Sequence, residues 1–149
     1  MRRVEAEALV GASRDEVWQL YDDIPGTPGW VPFVREVVYV SGPARVGTVY
    51  RERTRLAGLT DVGQWEIVEH RRPVRQIHVS HDKGLDTVLT ITFEARGTGT
   101  RVHQSAELRS QLWGPLGWLH EAVAAIPAGW GVRGAVAGAK RVFEGEPPR

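Results

Sequence analysis

No cysteine occurs among the 149 residues. Disulfides, thiol catalysis and cysteine-held metals are therefore excluded. An excess of one charge is also missing. The chain has 19 Lys and Arg against 18 Asp and Glu, a net charge of +1, which gives no electrostatic case for a nucleic-acid partner. Lysine itself is scarce, Lys83 and Lys140 being the only two. Long apolar runs are lacking too. The nearest approach, Ser110 to Val132, has Glu121 as its one charge, but its glycines and Pro127 argue against a spanning helix, so no integral membrane association is expected. No apolar stretch follows Arg2 and Arg3, so the N-terminus does not read as a signal peptide and a cytoplasmic protein is expected. No repeat or linker divides the chain, and its length suits one domain over 1–149.

What is present is an order of elements. Residues 2–10 alternate as a first strand. Ser13 and Glu16 form a capping box ahead of Val17, Trp18, Leu20 and Tyr21, a short amphipathic helix. Ile24 to Pro32, with three prolines and two glycines, is a broken turn. Arg35 to Ser41 is a second strand. In the third, Gly47 to Leu56, the outward set Arg51, Arg53 and Arg55 leaves Tyr50, Glu52 and Thr54 facing inward. A one-residue slip would reverse that and make the interior suit an anionic ligand.

Thr60 to Glu69 follows with Trp65 and Ile67 inward. Arg75 to His81 is expected to turn Ile77, Val79 and His81 inward, and Gln76 and His78 outward. Leu85 to Ala95 points Thr87, Leu89, Ile91 and Phe93 in, and Arg101 to Arg109 points Val102, Gln104, Ala106 and Leu108 in. Short turns between these strands predict an antiparallel meander.

Leu116, Leu119, Val123 and Ile126 then recur at helical spacing. Pro127 predicts a kink or two helical pieces, and the glycine-rich second half is a poor helix on propensity. Residues 145–149 are expected to fray. The sum is an α+β fold: a curved antiparallel sheet of about seven strands around one long C-terminal helix, with two short helical pieces after strand one. One helix cannot fill the concave side of a strongly bent sheet, so an internal cavity for a small hydrophobic molecule is expected.

Inward polar residues are the candidate chemistry. Glu52 is costly to bury without a partner. His81, read at the inner end of its strand, is a candidate general acid/base, because an imidazole titrates near neutral pH. Tyr50 and Gln104 are polar residues on the inner face, and His120 lies beside the expected inward stripe of the closing helix. Trp65, Phe93, Leu89, Trp118 and Val123 are expected as apolar or stacking walls. The histidines 70, 78, 81, 103 and 120 form no compact ligand spacing, so no metal is expected.

Several stretches carry a family resemblance. Ala12-Ser13-Arg14-Asp15-Glu16-Val17-Trp18 looks like a first helix, and Asp23-Ile24-Pro25 through Trp30-Val31-Pro32 an aspartate, aromatic and proline turn. Val46-Gly47-Thr48, Glu69-His70-Arg71-Arg72-Pro73, Gly99-Thr100-Arg101-Val102 and Phe143-Glu144-Gly145 follow in order. Together they resemble the polyketide cyclase/dehydrase branch of the START-like (SRPBCC, helix-grip) superfamily over nearly the whole chain.

The resemblance implies a helix-grip fold and a cofactor-free cyclase, aromatase or dehydratase. Glu52 or His81 would be the base, and Tyr50 or His120 the donor to an enolate or leaving hydroxyl. The glycine-rich closing helix departs from the family's usual leucine- and arginine-rich one. A non-catalytic carrier or sensor of a lipid, quinone or similar molecule is the competing expectation. A third is a membrane-surface protein using Trp113, Trp118 and Trp130. A homodimer stays open.

Overall fold

The computed structural model describes residues 1–56 and 58–144. Seven strands make one antiparallel sheet: β1 (Arg2–Val10), β2 (Val34–Val40), β3 (Val49–Leu56), β4 (Leu59–Arg71), β5 (Arg75–Ser80), β6 (Leu85–Arg96) and β7 (Gly99–Ser110). Their spatial order is β1-β7-β6-β5-β4-β3-β2. The meander expected from the short turns runs from β2 to β7, and β1 closes it beside β7. Helix α1 (Arg14–Asp22) and a 3₁₀ turn (Ile24–Gly29) lie between β1 and β2, and α2 (Gly114–Val142) closes the chain. This is the expected α+β helix-grip arrangement. The expectation for residues 145–149 falls outside the described residues.

The local signals explain the elements. Ser13 Oγ accepts from the Glu16 N–H at 3.3 Å, and Glu16 Oε1 accepts from the Ser13 N–H at 3.2 Å, so α1 begins on a complete capping box. Lys83 and Gly84 both take positive φ, 57° and 70°, the geometry of a two-residue hairpin turn that matches strand twist. That turn fixes the β5–β6 register.

One half of the sheet is filled by a conventional core. Val10, Val17, Trp18, Tyr21, Phe93 and Val102 pack with Val136 and Ala139 of α2. Trp18 meets Phe93 edge-on with ring centroids 5.3 Å apart. Phe93 is thus a core residue and not the cavity wall expected of it.

Two expectations about faces are overturned. On β5 it is Gln76, His78 and Ser80 that are buried, while Ile77 and Val79 lie on the other face. The register is the cause. His78 stands opposite Leu89 on β6 and Ile67 on β4, both of which face inward, and directly opposed residues share a face. A bulge between Ile67 and Glu69 resets the pairing with β4 beyond that point.

On α2 the apolar stripe Leu116, Leu119, Val123 and Ile126 faces away from the sheet, and Trp118 is 64% exposed with Arg2 over its ring at 5.3 Å. Helix α2 instead presents small residues to the sheet, Gly117, Gly131 and Ala135 among them. It runs through Pro127 as one element of 29 residues, so of the kinked helix or two pieces expected, the two separate pieces are not found.

The C-terminal half of α2 approaches the loop before β2 very closely. A Cβ on Gly138 would sit 2.1 Å from the Trp30 carbonyl oxygen, whereas one on Gly134 would make only ordinary contact with Phe33 at 3.7 Å. Gly138→Ala is therefore expected to destabilise by about 1–3 kcal/mol through overpacking. Gly134→Ala is expected to be neutral or stabilising by up to about 1 kcal/mol through helix propensity. Urea midpoints of the two variants check the pair.

Candidate functional site

Small inward residues on α2 leave the concave face of the sheet unfilled along the N-terminal half of the helix. A cavity of about 420 Å³ results. Its walls are Tyr50, Glu52, Thr54 and Leu56 from β3, Trp65 from β4, Leu85 and Leu89 from β6, and Gln104, Ala106 and Leu108 from β7. Its roof is His120, Ala124, Pro127, Ala128 and Gly131 of α2. Asp61, Asp82 and Lys83 stand together at one side, where Lys83 Nζ donates to Asp61 at 2.6 Å and Asp82 accepts from the Gln64 N–H at 2.6 Å. An inner chamber of about 90 Å³ adjoins it and shares Phe33, Tyr50, Glu52, Leu89 and Gln104. Gln76 and His78 line this inner end, with Tyr21 and Ile91.

Of the residues expected at a site, Glu52, Tyr50, Gln104, Trp65, Leu89 and His120 do converge on the cavity. His81 does not. Its side chain is 69% exposed and bonded to Asp86 at 2.8 Å, because β5 ends one residue earlier and faces the other way. Trp118 and Val123 point away from the cavity with the outer surface of α2. The residue that sequence reasoning missed is His78. The signal was available in the Asp82-Lys83-Gly84 turn, since counting back from it sets His78 opposite the inward Leu89.

The inner end carries a hydrogen-bonded chain. Tyr50 Oη lies 2.7 Å from His78 Nδ1, and His78 Nε2 lies 2.9 Å from Gln76 Oε1. Gln76 Nε2 donates to Asp22 Oδ1 at 3.0 Å, and the same oxygen is 2.7 Å from His70 Nε2. Burial, with a smaller contribution from nearby His70, pushes His78 down to about 4, so its imidazole is neutral at physiological pH. Burial first, and the Glu52 charge second, holds the Tyr50 phenol well above its ordinary value.

Across the sheet, Tyr21 Oη donates to Gln104 Oε1 at 2.6 Å, which leaves the Gln104 amide N–H groups for the cavity. His120 Nδ1 pairs with the Ser110 hydroxyl at 2.7 Å, tying the roof to the end of β7.

Glu52 differs from these. Burial pushes its carboxyl up to about 7, and among the described residues no hydrogen-bond partner holds it. A carboxyl poised there is half ionised near neutral pH, so it can take a proton or give one. Among the described residues no group of three or more His, Asp or Glu is placed to hold a metal ion, and no helix is long and apolar enough to cross a membrane.

Comparison with known proteins gives the following. The family model for polyketide cyclase / dehydrase and lipid transport matches residues 1–144. A protein of Thermus thermophilus shares the fold with a TM-score of 0.79 at 19% identity, covering 96% of this chain and 97% of that one. The Zhui aromatase/cyclase of Streptomyces sp. R1128 superposes with a TM-score of 0.81 at 13% identity, over 96% and 93% of the two chains. A START superfamily protein of Mycobacterium smegmatis gives 0.73 at 12% identity, over 95% and 97%. No curated protein matches the sequence.

The Glu52 carboxyl has a signature in stability. Its folded form holds the proton more tightly than the unfolded one, so its contribution is fully present below the unfolded value of 4.5 and is lost as pH rises through about 7. His78 acts oppositely. Its contribution is present above 6.5 and lost as pH falls through about 4. The stability difference between Glu52→Gln and the parent is expected to shift in favour of the variant by up to about 3 kcal/mol between pH 4.5 and 7. Urea unfolding across that range reads it directly.

Proposed function

This chain belongs to the polyketide cyclase/dehydrase and lipid transport family, and from that premise we propose that residues 1–149 form one cytoplasmic domain that takes a small, largely hydrophobic, polyketide-like or aromatic molecule into the cavity and works on it by cofactor-free acid–base chemistry. The observation that carries this reading is the carboxyl of Glu52, which has no hydrogen-bond partner among the described residues and is raised to about 7 inside an otherwise mostly apolar wall.

A flexible chain bearing several carbonyl groups gains most from such a space, because confinement holds its reacting carbons in one geometry. The Glu52 carboxylate removes a proton from the carbon between two carbonyls. That C–H bond breaks as the glutamate O–H forms. The carbanion attacks a second carbonyl carbon within the same molecule to make the new C–C bond, and the oxyanion formed there takes that proton back from the glutamic acid to become a hydroxyl. The Glu52 carboxylate then removes the remaining proton of the same carbon and passes it to the departing hydroxyl, so that a C=C bond forms as water leaves. The Gln104 amide N–H groups are the donors available to the intermediate oxyanion. Among the residues expected as bases, Glu52 alone remains, since His81 stands outside the cavity.

A carrier is the second reading, favoured by the walls themselves: Leu56, Leu85, Leu89, Ala106 and Leu108 help make most of the lining surface apolar. Native mass spectrometry of the purified protein, followed by solvent extraction, identifies a retained scaffold. With that scaffold or its acyclic precursor, Glu52→Gln is expected to lower turnover by about 100-fold or more while binding stays intact, and the parent's rate is expected to rise with pH through about 7. Full turnover by Glu52→Gln removes the catalytic reading. Tight retention of one unchanged ligand by both proteins establishes the carrier.

A further inference from the structure

The direction of every proton in the inner chain follows from its outer end. Asp22 as a carboxylate only accepts, so the Gln76 amide must turn its nitrogen toward Asp22 and its oxygen toward His78. That oxygen accepts from His78 Nε2, which therefore carries the ring hydrogen, and the neutral imidazole leaves Nδ1 as a bare lone pair. The single Tyr50 hydroxyl hydrogen is then committed to Nδ1 at 2.7 Å. Toward the cavity Tyr50 offers lone pairs alone, and the donor role expected of it from sequence is reversed. Gln104 is set the opposite way by Tyr21, with its oxygen occupied and its N–H groups free.

We propose that the Asp22–Gln76–His78 chain makes Tyr50 an obligate acceptor, so that the cavity selects ligands presenting a hydroxyl hydrogen at its inner end and discriminates against the same skeleton with only acceptors there. Gln76 and His78 are positioning residues in this selection, acting through Tyr50. The proposal rests on the cavity being the binding site.

The probe pair is 2-naphthol and 2-methoxynaphthalene, equal in aromatic surface and differing in that hydrogen. Titration calorimetry or fluorescence is expected to give about tenfold tighter binding of the naphthol by the parent, the cost of leaving a buried acceptor unpaired. In Gln76→Leu the imidazole can take its other tautomer, and the ratio is expected to fall to about one. Asp22→Ala, at the part-exposed end of α1, frees the Gln76 amide and is expected to do the same if Gln76→Leu does not fold. A general loss of structure lowers both affinities and leaves the ratio, so the ratio is the readout. Equal binding of both probes by the parent overturns the acceptor assignment with the cavity reading intact. Binding of neither overturns both.

Discussion

Helix α2 turns its small side chains to the sheet, and most of what is distinctive in the molecule depends on that choice. At its C-terminal half the smallness permits contact so close that Gly138 has no room for a Cβ beside the Trp30 carbonyl. At its N-terminal half, Ala124, Pro127, Ala128 and Gly131 reach toward a sheet that curves away, and the gap is the cavity. A helix with leucines at those positions would fill the space, gaining about 1.5–3 kcal/mol for each side chain buried. The large apolar residues lie instead on the outer face. The cavity and the exposed stripe are two faces of one arrangement.

The second constraint is polar. β5 turns Gln76, His78 and Ser80 toward the interior and leaves Ile77 and Val79 outside, the reverse of ordinary strand patterning. Such burial is tolerable only where each group has a partner. From Tyr50 to His70 each link is made, at 2.7 to 3.0 Å. The chain thereby becomes rigid and directional. Glu52 is the group left out of it, held among apolar walls with its charge unfavoured. Among the described residues its neighbours are satisfied and it is not, and the proposed ligand site rests on that contrast.

The fold was largely legible because its signals are local. The capping box at Ser13, the arginine face of β3 and the hairpin turns each determine their element without reference to the rest. The inward set of β3, with Glu52 and Tyr50, followed from three arginines needing water. On β5 hydrophobicity points to the wrong face, although the two-residue turn at Lys83 and Gly84 already fixes its register against β6. Helix α2 misled for a related reason. Leu116, Leu119, Val123 and Ile126 form a true helical stripe, and periodicity identifies a stripe without saying what covers it. His81 was lost and His78 missed through the same one-residue difference in strand face.

The central claim is that one carboxyl inside this fold stays protonated far above the ordinary carboxylate range while facing an open cavity. Carbon-13 NMR titration of the glutamate side-chain carboxyls tests it most directly. One resonance is predicted to titrate near pH 7 and to vanish in Glu52→Gln. If every glutamate titrates with a midpoint below about pH 5, Glu52 is solvated like a surface residue, and the acid–base site described for this cavity does not exist.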